Sequence, residues 1–223
     1  MNKIVLVIAA HTDDEALGCG GTIARHVAEG DKVYAVFIAD GVTSRLKADQ
    51  NDLISRNSAA EQARKVLGIH ESYYLGLPDN RLDSIPLIVV IQSIEPIISR
   101  LQPNIIYTHH SGDLNIDHQI THQAVMTACR PMPGSGLLEI YAFEVVSSTE
   151  WATPGHNPFI PNVFIDISSY IETKQSALAC YQTEMRIEPH TRSLKNIEYL
   201  ARHRGHCVGM YAAEAFMMIR MLK

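Results

Sequence analysis

The sequence predicts an α/β domain in which a mostly parallel sheet is flanked by helices, with a less regular C-terminal third. Three observations carry this expectation. Short β-branched runs of continuous apolar character alternate with longer helical patterns over the first two thirds of the chain. Glycines stand just past the first two helical patterns, where helices commonly end. No repeat, low-complexity tract or linker divides residues 1–223, and a chain of 223 residues can bury a core as a single domain.

Taken in order, Lys3–Ala9 reads as the first strand and Glu15–Glu29 as a helix ended by Gly30. Val33–Ile38 is the second strand, and Leu53–Leu67 a helix closed by Gly68. Tyr73–Leu75 is a brief third strand, followed by a helix over Ile85–Leu101 that Pro96 makes irregular. Asn104–Thr108 is the fourth strand and Gln119–Cys129 a helix. Arg130–Gly136, with two prolines and two glycines, breaks the rhythm. Beyond it, Leu138–Val146 and Asn162–Ile167 read as strands, and Tyr170–Tyr181 and Leu194–His206 as helices. Trp151–Pro161 carries three prolines and reads as a surface loop. The arrangement is Rossmann-like.

Composition narrows the function classes. Apolar residues make up 46% and charged residues 19%, as in an ordinary folded protein. The formal net charge of -5 offers no basic footprint for nucleic acid and no attraction to an anionic membrane surface. Cys19, Cys129, Cys180 and Cys207 stand far apart, which suggests neither a disulfide framework nor a thiolate metal site. The opening apolar run is short and meets His11-Thr12-Asp13-Asp14-Glu15 with no room for a cleavage region, so it reads as a buried strand and not a signal peptide. No stretch is both long enough and free enough of charge to span a bilayer. The expectation is a cytoplasmic protein.

Two clusters carry chemistry. The first is His11-Thr12-Asp13-Asp14-Glu15, directly after the first strand, where open parallel sheets bind ligands. Alone, Thr12 with Glu15 three residues later reads as a helix capping box. The second cluster follows the fourth strand: His109-His110-Ser111-Gly112-Asp113-Leu114-Asn115-Ile116-Asp117-His118, and then His122. First and fourth strands are commonly neighbours where a doubly wound sheet reverses order, which sets imidazoles and carboxylates face to face across one crevice. Catalytic zinc sites use three such ligands and keep a fourth position for water.

The pattern A-H-x-D-D-E after the first strand, with N-x-D-H after the fourth, resembles the LmbE-like zinc N-deacetylases, or PIG-L superfamily. The resemblance continues through Gly18-Cys19-Gly20-Gly21, Ala39-Asp40-Gly41, Leu77-Pro78-Asp79-Asn80-Arg81, Arg204-Gly205 and Ala213-Glu214-Ala215-Phe216, and so covers nearly the whole chain. It implies that His11, Asp14 and His118 hold one Zn2+ per chain, other divalent ions being possible, and that Asp13 is the general base. Zinc brings the pKa of bound water toward about 7, and a carboxylate off the metal can take that proton and pass it to the departing amine. The implied substrate is a small N-acylated sugar or glycoconjugate of the N-acetylglucosamine type, and homo-oligomers are possible.

The chain departs from the family pattern twice. Thr12 stands where many members have proline, and Asn115 where many have a histidine associated with stabilising the oxyanion. Asn115 can donate a hydrogen bond but no proton, so His109 or His110 is a candidate stand-in. Asp117 reads either as a partner of a ligand imidazole or as a helix N-cap. His122 lies one helical turn past His118, as a ligand or a packed side chain. Arg56 resembles a pocket-lining arginine able to bind a carboxylate or phosphate, against a solvated surface charge. For Arg192, Arg204 and Glu214, surface ion pairing is the expectation, and for Cys19 helix packing.

Two other functions compete. Gly18-x-Gly20-Gly21 faintly matches a dinucleotide loop, but the glycines fall inside the expected helix and carboxylates occupy the phosphate position. An inactive metal- or sugar-binding protein of the same fold is the other, against which Asp13, not needed to bind metal, argues.

Overall fold

The computed structural model describes residues 2–44 and 49–223. Among the described residues seven strands, β1 (Ile4–Ala9), β2 (Lys32–Ala39), β3 (Glu71–Leu77), β4 (Ile105–His109), β5 (Glu139–Phe143), β6 (Val163–Asp166) and β7 (Ala213–Met221), form one sheet. Its order is β3-β2-β1-β4-β5-β7-β6. Strands β1 to β5 pair in parallel, while β7 runs antiparallel between β5 and β6. The helices that connect them are α1 (Asp14–Ala28), α2 (Gln50–Leu67), α3 (Leu87–Leu101), α4 (Ile116–Ala128), α5 (Ile171–Cys180) and α6 (Leu194–His206). The α/β architecture with a mostly parallel sheet is the one expected. Among the described residues no helix is long and apolar enough to cross a membrane.

Both faces of the sheet are covered, which is why β1 is apolar throughout: Val5 to Ala9 are all fully buried. Val5, Val7, Phe37, Tyr107 and Phe143 pack toward α1, α2, α5 and α6. Leu6, Ile8, Val36, Ile106 and Ile140 pack toward α3 and α4. Burying each such aliphatic side chain contributes roughly 1.5–3 kcal/mol.

The differences from expectation have local causes. α4 begins three residues earlier because the Asn115 side chain caps it, accepting the Asp117 N–H at 2.8 Å. The chain before α3 makes a short 3-10 turn, Leu82–Ser84, and the helix itself starts after Pro86 and runs through Pro96. β7 has no counterpart among the expected strands, since Glu214 and Arg220 interrupt its apolar run.

Helix α1 is broken at Cys19 (φ -145°, ψ 24°), which is fully buried. Glu214 accepts the Gly21 and Thr22 N–H groups at 3.0 and 2.7 Å, and the Lys174 ammonium donates to the Leu17 carbonyl at 2.8 Å and pairs with Glu214 at 2.5 Å. A buried ion pair thus satisfies the backbone groups the break releases. Glu214 is therefore no surface charge. Gly21 has Ile167 Cδ1 only 2.8 Å from where a Cβ would lie, so its glycine serves packing and not a phosphate.

Candidate metal centre and its cavity

β1 and β4 are neighbours, with Ile8 beside Thr108, so the segments leaving their carboxyl ends meet. There His11, Asp14 and His118, all buried, bring one ligand atom each within 4.8 Å of one another. His11 Nδ1 and His118 Nε2 each lie 3.3 Å from Asp14 Oδ2, while Asp14 Oδ1 is buried without a partner among the described residues. Two imidazoles and a carboxylate, one of whose oxygens is buried and orphaned, make a donor set that fits zinc.

The remaining ring nitrogens face carboxylates. His11 Nε2 lies 3.0 Å from Asp79 Oδ1 and 3.2 Å from Asp117 Oδ2. His118 Nδ1 lies 3.1 Å from Asp113 Oδ1, at ion-pair distance but without hydrogen-bond alignment. Such carboxylates orient metal-binding imidazoles. His11, Asp79 and Asp117 also converge as a second set, but Asp117 is engaged by the Asn80 and Leu82 N–H groups at 2.7 and 3.0 Å. Burial opposes charge on His11, yet Asp117, Asp14 and Asp79 outweigh it and hold its pKa well above the ordinary value. Burial likewise opposes charge on His118, but Asp14 and Asp113 raise its pKa to about 9. Burial disfavours the Asp14 carboxylate, but His118 and His109 hold its pKa well below the usual range.

Asp13 sits beside this cluster in a strained conformation (φ 120°, ψ -28°), 1% exposed. The expected capping box is not formed. Asp13 is the N-cap residue, and Thr12 instead accepts Arg56 Nε on its hydroxyl and Arg56 Nη2 on its carbonyl, each at 2.8 Å. Glu15 does reach back, but to the Asp13 N–H, at 3.0 Å. Burial raises the Asp13 pKa, with Arg192 and then Arg56 opposing.

Arg56 is buried, 2.7 Å from Glu184 Oε1 and 3.6 Å from Asp13 Oδ1, which overturns the solvated reading. Asn115 replaces Asp117 as the cap of α4, and its Nδ2 donates to Asn80 Oδ1 at 3.2 Å. His110 and His122 do not reach the cavity. His110 Nε2 meets the Asn157 carbonyl and His122 Nδ1 the His109 carbonyl, each at 2.8 Å. His109 stacks on His118 at 3.8 Å and accepts the Ala10 N–H on Nε2, and burial, helped by His118, depresses its pKa to about 4.

A polar cavity of about 230 Å3 opens over the cluster, with His11, Asp13, Asp79, Asn80, Asn115 and Arg192 in its wall. Arg192 is the principal residue sequence reasoning misassigned: its Nη1 lies 2.8 Å from Asp13 Oδ2 and its Nε donates to Ser147 Oγ at 2.6 Å. Asp79 and Asp113 also went unassigned, though Asp79 falls inside the quoted Leu77–Arg81 motif. Asp13, Asn80 (φ 51°) and Ser147 (φ 66°) cluster backbone strain around this one site. Arg204 makes a bidentate pair with Glu144 at 2.8 and 2.7 Å, outside the cavity.

Residues 6–129 match the family described as PIG-L: GlcNAc-PI de-N-acetylase. The "Uncharacterized deacetylase YaiS" of Escherichia coli K12 is 32% identical over 182 residues, covering 79% of this chain and 89% of that protein. The chain belongs to the PIG-L (LmbE-like) family. The 4-oxalmesaconate hydratase of Pseudomonas putida is also similar, 24% identical over 225 residues, 87% of this chain and 83% of that protein. Among solved structures, the N,N'-diacetylchitobiose deacetylase from Pyrococcus horikoshii shares the fold, with TM-score 0.79 at 20% identity over 98% of this chain and 84% of that one.

Proposed function

We propose that the protein is a zinc-dependent hydrolase that removes an N-acetyl or similar N-acyl group from an N-acetylglucosamine-type sugar or conjugate. The observation that carries this reading is Asp13, a buried carboxylate beside a His-His-Asp cluster but outside it, in the wall of a polar cavity. The family description and the name of the chitobiose deacetylase support the substrate class.

His11, Asp14 and His118 hold one Zn2+, with Asp113, Asp79 and Asp117 fixing the imidazoles. Bound there, the ion supplies Lewis acidity toward the acyl oxygen and toward water. Asp13 takes a proton from the attacking water and returns it to the leaving nitrogen, which needs a basic carboxylate within reach of both. The Asn80 and Asn115 carboxamides offer neutral hydrogen-bond donors to the sugar or the acyl oxygen; neither can donate a proton.

The test pairs metal analysis with amine release from N-acetylglucosamine and its glycosides. About one zinc per chain in wild type, lost in Asp14→Ala, and amine release abolished in Asp13→Asn with zinc retained, is the expected result. No zinc after incubation with the ion removes the metal site. Zinc without amine release removes the hydrolase, leaving hydration of an alkene acid, the reaction named for the Pseudomonas relative, or an inert binder. Unchanged turnover in Asp13→Asn removes Asp13 as the base.

A further inference from the structure

We propose that Glu15 and Tyr181 form a buried clamp that holds the strained backbone of Asp13 in its working position. The clamp rests on the reading of Asp13 given above, and both members are positioning residues that touch neither metal nor substrate.

Asp13 occupies a region of backbone space that a side chain disfavours, so the surrounding structure must hold it there. On its carbonyl side, the Ala16 and Leu17 N–H groups donate to the Asp13 carbonyl at 3.1 and 2.9 Å, as the first turn of α1 requires. On its amide side the fastening among the described residues is the Glu15 carboxylate, reached from two residues on instead of the three of an ordinary capping box. Glu15 is itself tied down by the Tyr181 hydroxyl, which donates to Oε1 at 2.6 Å. Glu15 and Tyr181 are each 1% exposed.

Tyr181 also touches the other half of the Asp13 environment. It ends α5, and its carbonyl accepts the Glu184 N–H at 2.9 Å. The Glu184 side chain pairs with Arg56 at 2.7 Å and stands 4.0 Å from Arg192, the two guanidiniums that flank the Asp13 carboxylate. One residue thereby links the element fixing the Asp13 backbone to those fixing its side chain. A carboxylate sealed in the interior is costly unless its bonds matter, and those of Glu15 run to Asp13 and Tyr181.

The experiment uses the full chain, zinc-loaded, with N-acetylglucosamine as probe, comparing wild type, Tyr181→Phe, Glu15→Gln and Glu15→Ala. It measures kcat and KM for amine release, zinc content, and amide hydrogen exchange at Asp13 by NMR. Tyr181→Phe is expected to keep zinc and KM within about twofold while kcat falls roughly 10- to 100-fold, the scale of a misplaced catalytic group. Asp13 amide exchange is expected to accelerate while that of the β1 core does not. Glu15→Gln, which retains an acceptor, is expected to lose less kcat than Glu15→Ala. An unchanged kcat in Tyr181→Phe, or a loss matched by loss of zinc, overturns the clamp. If wild type releases no amine, the hydrolase reading fails by itself, and unchanged Asp13 exchange in Tyr181→Phe then overturns the clamp independently.

Discussion

Arg192 Nη1 lies 2.8 Å from Asp13 Oδ2, a contact that spans 179 positions of sequence. It carries a cation from the segment before α6 to the carboxylate beside the candidate metal cluster. Burial raises the Asp13 pKa, and Arg192 is the largest influence opposing it. Removing the guanidinium therefore raises that pKa further. A general base works only when deprotonated, so the acidic limb of the kcat/KM profile of Arg192→Gln should move to higher pH. The variant should lose roughly tenfold or more on the acid side and recover part of it toward alkaline pH. A pH-rate profile checks this; a loss uniform in pH would assign Arg192 to substrate binding alone.

The His118 ring sits between Asp14 and Asp113, and the Asp113 carboxyl also accepts Thr149 Oγ1 at 2.6 Å, the Ser148 hydroxyl and the Asn115 N–H at 2.9 Å. Burial disfavours its charge, but His118, Ser148 and Thr149 more than compensate, and its pKa falls to about 2. Asp113 is thus ionised throughout the working range and keeps His118 oriented. Asp113→Asn is expected to weaken zinc binding by roughly 10- to 100-fold. Competition against a chromophoric chelator measures this, and an unchanged Kd would strip Asp113 of the role.

The sheet and the two clusters were legible because they are local: continuous apolar runs mark strands buried on both faces, and His11 to Glu15 and His109 to His118 each follow such a run. What surrounds the cluster was not. Arg192 reaches Asp13, and Glu184 reaches Arg56, from the C-terminal third of the chain, through a segment without regular structure, where periodicity carries no signal. The Thr12–Glu15 spacing satisfied a capping rule, yet Arg56 takes Thr12, and Glu15 turns to Asp13 and Tyr181. Local rules fail where the backbone is strained for a site. The antiparallel β7 was missed because Glu214, which patches α1, breaks its apolar pattern.

Glu15 gives a pH signature in the metal-free protein. Burial raises its pKa from 4.5 to about 7, against the opposing bonds from Tyr181 and the Asp13 amide. Between those values the folded state holds a proton that the unfolded chain releases, so stability falls as pH rises through the window. The fall amounts to on the order of 3 kcal/mol. Glu15→Gln lacks the titration and should gain stability relative to wild type between pH 4.5 and 7. Urea unfolding of both chelator-treated proteins at pH 5 and pH 8 checks the sign; a difference that does not change with pH would refute it. Greater stability combined with lower turnover would mark Glu15 as a residue kept for function.

Lys174 and Glu214 should prove to be the structural counterpart of that clamp. Their side chains are 7% and 4% exposed, and together they satisfy three backbone groups around the Cys19 break in α1, the helix that begins with Asp14. Lys174→Met leaves Glu214 buried without its cation and the Leu17 carbonyl without its donor. That loss should cost about 3–5 kcal/mol and lower the melting temperature by roughly 10 °C. Adding Glu214→Gln removes the stranded charge while an amide oxygen can still accept a backbone N–H, so the double variant should recover much of the loss. Thermal unfolding of the three proteins decides it. If Lys174→Met melts with wild type, the pair is not what holds the broken helix together, and packing of Gly18 and Gly21 against Phe143 and Ile167 must suffice.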